Sequence, residues 1–277
     1  MKSIGRLTLK IGLVVFGLPM FGMQNSARAA EITLLCAGAL ETWMHEVIPK
    51  FQKTSGHTVK PTFAVINAIT ERVRKGDVAD LAIVSPQQWD DLRKEGKLDP
   101  VIRFVIAKVG FGVFVKEGAA KPDISSAEAL KRTLLNARAV AVFAPGTLGP
   151  TAIYVTRLFD GLGISSDLQP KLKYAVSGAM PGRPTAAALF DLVAMGDAEV
   201  GVAMVSEILA APGVQLAGPV SADLQSFTSY ATVIPASAKE PAAAKAFIDF
   251  LASSEAVSIL KSKGLEPGWG ESRANQD

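Results

Sequence analysis

One cysteine, two histidines and three tyrosines in 277 residues leave little material for several kinds of chemistry. Cys36 has no second cysteine with which to form a disulfide, and no His/Cys spacing suits zinc. A nucleophile at Cys36 needs a base within reach, and only His45 and His57 offer an imidazole. The first falls on an expected helix and the second in a Ser-Gly-His-Thr turn, both read as surface positions. No glycine-rich loop followed by lysine is present to cradle a phosphate. These shortages argue against an enzyme and call for no metal and no cofactor.

Long apolar runs are equally scarce. The one at the start, Ile11 to Met23, follows Lys2, Arg6 and Lys10 and precedes Ala27-Arg28-Ala29. That order of positive, apolar and small residues reads as a cleaved export signal over residues 1–29, too short in its apolar part for a membrane span of about 20 residues. Four of the 29 basic residues lie there, leaving 25 against 26 acidic ones. The apparent basicity therefore belongs to the signal, and nothing points to nucleic acid. Cys36 has Leu35 before it, which is not a lipid-attachment context. The expectation is a soluble periplasmic protein of about 248 residues.

What the chain does contain is a repeated alternation of short apolar runs and helical patterns. Ile32–Cys36 reads as a buried strand, Ala37-Gly38-Ala39 as a small-residue turn, and Leu40, Met44, Val47, Ile48 and Phe51 as the inner stripe of a helix. Thr58–Ala64 and Leu81–Val84 read as further strands. Helices are expected over 68–75, with Val65-Ile66-Asn67 as its entry turn, and after Ser85-Pro86, where serine caps and proline opens the first turn. Such a series indicates a parallel, doubly wound sheet. Phe104–Val115 is too long for an ordinary strand and contains Gly110 and Gly112, which suits a crossing to a second lobe. The alternation then resumes: a capped helix at 126–135, strands at 139–143, 172–176 and 200–205, and helices at 151–162 and 184–195. Phe227–Ile234 is expected to cross back before two helices, 241–251 and 255–263. The fold class is α/β, two doubly wound lobes joined by a two-strand hinge. Lobe I is residues 30–109 with 224–277 and lobe II is 110–223.

Ligands in such sheets lie beyond the carboxyl ends of the strands, so two facing lobes make a cleft that closes on a solute. Helix N-termini there present unpaired N–H groups and a positive dipole. The candidate donors are the backbone at Gly38 and Ala39, at Asn67, at Thr147 and Thr151, and at Gly182-Arg183. Asn67 serves equally as a helix cap, and so do Thr147 and Thr151. Arg183 is either a bidentate clamp for an anion or a surface arginine beside a proline–glycine turn. Asp80 is expected to accept backbone N–H bonds near the cleft, and Trp43, Trp89 and Trp269 to pack.

Four pieces in order, Ile32–Leu40, Gly76-Asp77-Val78-Ala79-Asp80, Ala144–Tyr154 and Gly196–Glu207, make the chain similar to the periplasmic molybdate-binding proteins of ABC importers. The similarity runs from Ile32 to about Pro267. It implies the type II periplasmic binding-protein fold, delivery of a small oxyanion or other small anion to an inner-membrane ABC permease, and a monomer. Sensing for a membrane partner is the alternative use of the same cleft. The family offers a serine hydroxyl from each of the first two turns and a tyrosine hydroxyl. Here those positions fall at Ala39, near Ile66 or Asn67, and at Met204. A hydrogen bond to a charged group contributes roughly 1.5–3 kcal/mol, so weak or absent molybdate binding is expected.

Overall fold

The computed structural model describes residues 29–99, 104–147, 149–175 and 186–269. The export signal expected over 1–29, apart from Ala29, and the loop 177–183 with Arg183 lie outside the described residues.

The chain opens with β1 (Glu31–Ala37), a 3-10 turn (Gly38–Leu40) and α1 (Glu41–Ser55). Then come β2 (Thr58–Ala64), α2 (Ile66–Lys75), β3 (Leu81–Val84) and α3 (Pro86–Lys94). The long β4 (Phe104–Lys116) leads to α4 (Ala127–Asn136), β5 (Val140–Phe143), α5 (Pro150–Leu162), α6 (Ser165–Leu168) and β6 (Leu172–Ala175). After these come α7 (Ala187–Ala194), β7 (Val200–Met204), α8 (Val205–Ala210), β8 (Val214–Pro219) and β9 (Phe227–Val233). The helices α9 (Pro241–Leu251) and α10 (Ser254–Ser262) close the described chain.

The strands lie in the order β2-β1-β3-β9-β4-β7-β5-β6, with β8 also on β4. β1 is parallel to β2 and β3, and β5 is parallel to β6 and β7, as the strand–helix alternation requires. β3 is buried at all four residues, the mark of a strand covered on both faces. Pro61 sits in β2, at the edge of the sheet, where its missing N–H interrupts no inner ladder. The inner stripe of α1 is Trp43, Met44, Val47, Ile48 and Phe51, and the Trp43 indole donates to the Ala256 carbonyl at 2.9 Å, fastening α1 to α10.

The two parallel groups meet on β4. Its first part, Phe104–Gly110, pairs antiparallel with β9, and its second part, Phe111–Val115, pairs antiparallel with β7. At the changeover the Gln225 side chain replaces a missing strand. Its Oε1 accepts from the Phe111 N–H at 2.7 Å and its Nε2 donates to the Phe111 carbonyl at 3.0 Å. Gly110 is needed beside it, since a Cβ there would stand 3.0 Å from the Gln225 amide. Across β7, Phe114 lies over Gly201, where a Cβ would come within 2.4 Å of the ring.

One expectation about the crossings changes. β4 does span both groups, but β9 pairs only with β3 and β4, so Phe227–Ile234 does not cross back; the return is made by the preceding segment 220–226. The short α8 and β8, between β7 and that return, carry no clear periodicity in the sequence. Asp80 accepts from the Thr33 N–H at 2.8 Å and from the Lys239 and Glu240 N–H groups at 2.8 and 2.9 Å, as expected of a structural carboxylate. Its place is the amino-terminal edge of β3, however, opposite the carboxyl ends where a cleft forms, because it immediately precedes Leu81.

Candidate functional site

β1, β2 and β7 end in small or apolar residues that give way at once to a helical turn. β1 runs into Gly38 and Ala39, and β2 ends at Ala64 with Val65 as the start of α2. From the other group, Phe143 ends β5, Gly149 starts α5, Ala186 starts α7, and Met204 ends β7. All of these line one small cavity of about 70 Å³, together with Thr147, Pro150, Thr151, Glu207 and Tyr230. Side chains this small let the backbone approach whatever occupies the space.

The helix starts around that cavity share a feature. Neither the 3-10 turn before α1, nor α2, α5 or α7, has a side-chain cap: the cap positions are Ala37, Val65, Gly149 and Ala186. Away from the cavity three helices are capped by serine, Ser85 for α3, Ser126 for α4 and Ser253 for α10, while α6 and α9 are not capped by a side chain. None of those three serines lines the cavity. The first N–H groups of a helix have no partner within it, and several helices beginning at one point with no hydroxyl to satisfy them make a ring of donors. With the dipoles adding positive potential, the arrangement favours an anion.

The expected site residues divide accordingly. Gly38, Ala39, Thr147, Thr151 and Met204 come together on the cavity. The Thr147 N–H is taken by the Ala144 carbonyl at 3.1 Å within the turn, so Thr147 offers its hydroxyl and not its amide. Thr151 is buried in the first turn of α5. Asn67 is not a cap: Val65 holds that position, and the Asn67 side chain accepts from Gln88 Nε2 at 2.8 Å. It lines an adjoining cavity of about 500 Å³ that also meets Ile66, Gly149 and Pro150. On the other side a cavity of about 450 Å³ shares Gly38, Ala39, Ala186 and Glu207 and adds Glu41, His45 and Asp191.

Two functional-looking groups were not anticipated. Tyr230, fully buried on β9, donates its hydroxyl to Met204 Sδ at 3.4 Å. A phenol therefore reaches the neighbourhood of Met204 from a different strand. Burial holds that phenol well above the usual tyrosine range, and the nearby Glu207 and Cys36 push it the same way. Glu207 is the second. Part of the residue is accessible, but its Oε2 is covered and has no hydrogen-bond partner. Loss of solvent raises its carboxyl to about 7, against a smaller opposing effect from a backbone hydrogen bond with Met204. It is the only charged side chain on the small cavity among the described residues. No pattern in the sequence distinguished Glu207 from a surface acid on a short helix; its burial comes from segments far apart in the chain. Next to it, Ser206 Oγ donates to the Ala39 carbonyl at 3.1 Å, joining α8 to the first turn.

Cys36 is buried and donates weakly to its neighbour's carbonyl, Ala37 O, at 3.5 Å. Burial pushes its thiol up, with Glu41 adding to the effect, so it stays protonated and packs as a small apolar group. Trp43 and Trp89 are buried, and Trp269 stacks on Phe104, which is the packing role expected of all three. Among the described residues no helix is long and apolar enough to cross a membrane.

The family model described as "Bacterial extracellular solute-binding protein" matches residues 32–266. The chain belongs to that family. The observed topology has two α/β groups sharing a crossing strand, and the solved structures agree on the fold. The substrate-binding domain of a putative molybdenum ABC transporter from Clostridium difficile superposes with a TM-score of 0.70 at 18% identity, covering 86% of this chain and 99% of that one. This is the type II periplasmic binding-protein fold. Among curated relatives, the molybdate-binding protein ModA of Escherichia coli (strain K12) is 27% identical, over 88% of this chain and 93% of its own. A Pseudomonas protein named aconitate isomerase is 28% identical, over 94% of this chain and 96% of its own. Relatives of this solute-binding chain thus include oxyanion binders and a protein named for work on a tricarboxylate.

Proposed function

We propose that the protein is the periplasmic receptor of an ABC importer and takes a small organic anion, a di- or tricarboxylate, between its two lobes, 30–109 with 224–277 and 110–223. The observation that carries this reading is the ring of uncapped helix starts from both strand groups around one cavity. Donors from both groups meet the ligand together only when the lobes are closed, so binding and closure are one event. A carboxylate is favoured over molybdate because the resemblance puts Ala39, Ile66 or Asn67, and Met204 where the molybdate binders use hydroxyls. Glu207 adds a carboxyl that, when protonated, can donate to an oxygen of a bound carboxylate.

The test is a thermal-shift series with the mature protein against citrate, tricarballylate, trans-aconitate, succinate, sulfate and molybdate, followed by calorimetry. A ligand at 100 times its dissociation constant stabilises by about 2.7 kcal/mol. Stabilisation by carboxylates and not by molybdate is the expected result; micromolar or tighter molybdate binding would overturn it.

A second reading is favoured by one observation, the covered carboxyl of Glu207 at the cavity wall. In it the protein turns over an unsaturated tricarboxylate. Glu207 as a carboxylate takes a proton from the methylene beside the double bond, the electron pair spreads into the neighbouring carboxylate, and the proton returns at the far end of the three-carbon unit. The two arms of aconitate exchange roles in this shift, so the product keeps the same skeleton and its double bond is set in either geometry. No oxidant is needed. Incubating catalytic protein with trans-aconitate and following the cis isomer by chromatography decides between turnover and stoichiometric binding.

A further inference from the structure

The carboxyl of Glu207 poses a problem that packing alone does not answer. Its Oε2 is covered, is without a partner, and belongs to a residue on the wall of the candidate cavity. An unsatisfied buried polar group costs about 1–3 kcal/mol, and more when charged. Neighbouring groups do not relieve it. Tyr230 gives its hydroxyl to Met204 Sδ, and Ser206 gives its own to the Ala39 carbonyl. β4 and β8, which pack on α8, bring no charged side chain over Phe111–Val115 or Val214–Pro219. Past α10, Lys263 lies beside Gly264, which packs on Val205, but its ammonium is paired with Glu46. The titratable groups that share the adjoining cavity with Glu207 are Glu41, His45 and Asp191. His45 is exposed and within 3.4 Å of Glu41. The partner that Oε2 lacks is therefore to be looked for in the ligand.

Resting on the carboxylate reading above, we propose that Glu207 and the bound anion share one proton, which makes Glu207 the group that selects anions of weak acids over anions of strong ones. The shared proton forms an O–H···O bond between Glu207 and one ligand oxygen, and it comes from solvent whenever both groups are ionised beforehand. A carboxylate is basic enough to hold its side of such a bond. Sulfate is a far weaker base, and beside an ionised Glu207 it would meet only repulsion. The elevated carboxyl of the free protein, near 7, sets the point above which that proton has to be taken up. Above it, affinity for a carboxylate falls about tenfold per pH unit, the dependence that linkage of one proton requires.

The experiment is calorimetry of the full mature protein with tricarballylate and with sulfate, repeated in buffers of different ionisation enthalpy at about pH 5.5 and about pH 8, the two sides of the titration. Close to one proton taken up per tricarballylate at the higher pH, and almost none at the lower, is the expected result. In Glu207→Gln the uptake vanishes and affinity becomes flat with pH, because the amide donates in place of the neutral acid. Binding of tricarballylate without proton uptake, or equal uptake in Glu207→Gln, overturns the shared proton and leaves the carboxylate reading intact. Failure of every carboxylate to bind at either pH overturns both. Should Glu207→Gln fold poorly, carboxyl carbon NMR of the wild-type protein reads the same proton directly. A carboxyl that titrates near 7 in the free protein and stays protonated at the higher pH when tricarballylate is added supports the proposal. One already ionised below pH 6, or released on binding, rejects it.

Discussion

The start of α3 and the start of α2 differ by one kind of atom. At α3, Ser85 Oγ accepts from the Gln88 N–H while Gln88 Oε1 accepts from the Ser85 N–H, both at 3.2 Å, a reciprocal box that leaves the first turn well satisfied. At α2, twenty residues earlier, the corresponding place is Val65, which has nothing to offer. The two helices follow strands of the same parallel group, one on each side of β1, so the contrast is not one of topology. It lies in what stands above the strand end. At α3, α4 and α10, which start away from the small cavity, a serine supplies the acceptor, although α6 and α9 start away from it uncapped. At α2, α5 and α7, whose starts line the cavity, no side-chain acceptor is present. The same division separates α4 and α10 from α5 and α7.

The contrast can be broken from either side, and the largest effect is expected just ahead of α9, whose own cap position, Glu240, makes no side-chain cap bond. Asp80 serves three backbone donors, two of them where α9 begins. Asp80→Ala strands those buried N–H groups, and at about 1–3 kcal/mol each urea denaturation should show a loss of several kcal/mol. Ligand affinity of the protein that remains folded should be unchanged, since Asp80 is at the far edge of β3.

The opposite change is Val65→Asp. Supplying α2 with a side-chain cap stabilises the free protein by about 0.5–2 kcal/mol, and the added charge, set where the anion would be held, removes ligand-induced stabilisation altogether. Tighter anion binding in this variant would show that the start of α2 takes no part in the site. A smaller effect is expected from Ser85→Ala, about 1 kcal/mol by chemical denaturation, with anion affinity as in the wild type.

A last effect concerns pH. The native state holds a proton on Glu207 up to about 7, while an unfolded glutamate releases it near the ordinary value of 4.5. Between those values the folded chain binds more protons than the unfolded one, so stability contributed by Glu207 is present below 4.5 and declines as pH rises towards 7. Melting temperatures of the free protein should therefore drift down across that window, and Glu207→Gln should flatten the drift.

Much of the fold could be read before any coordinates. Thr58–Ala64, Leu81–Val84 and Pro241–Leu251 have the bounds that their apolar runs and proline signals imply, because short buried strands and proline-opened helices are set locally. α8 and β8 were not legible: six residues each give no period to recognise, and their places are fixed by packing on β4. The site was legible in part. Gly38, Ala39, Thr147 and Thr151 come from the rule that ligands sit at strand ends and Met204 from the family resemblance, and all five line the candidate cavity. Asn67 is not a cap because helix α2 begins one residue before it, at Ile66, and Asp80 was misplaced because a polar residue beside a strand does not say which edge it occupies. Glu207 and Tyr230 were missed for one reason. Their character comes from being buried together, and sequence 23 residues apart does not show that.

The stacking of Phe111 on Tyr154, with ring centres 3.9 Å apart and planes within 6°, sits where β4 changes partners, and the Tyr154 hydroxyl reaches the Leu224 carbonyl on the return segment at 2.9 Å. Tyr154 is one helical turn from Thr151, a rise of about 5 Å. A rotation of one lobe about the two connecting segments would thus pivot almost at the anion's doorstep. Points near an axle travel short arcs, so the inner cavity would gain little width on opening while the outer rim swings wide. Solutes would enter at the rim, and only a compact head group could finish the journey inward.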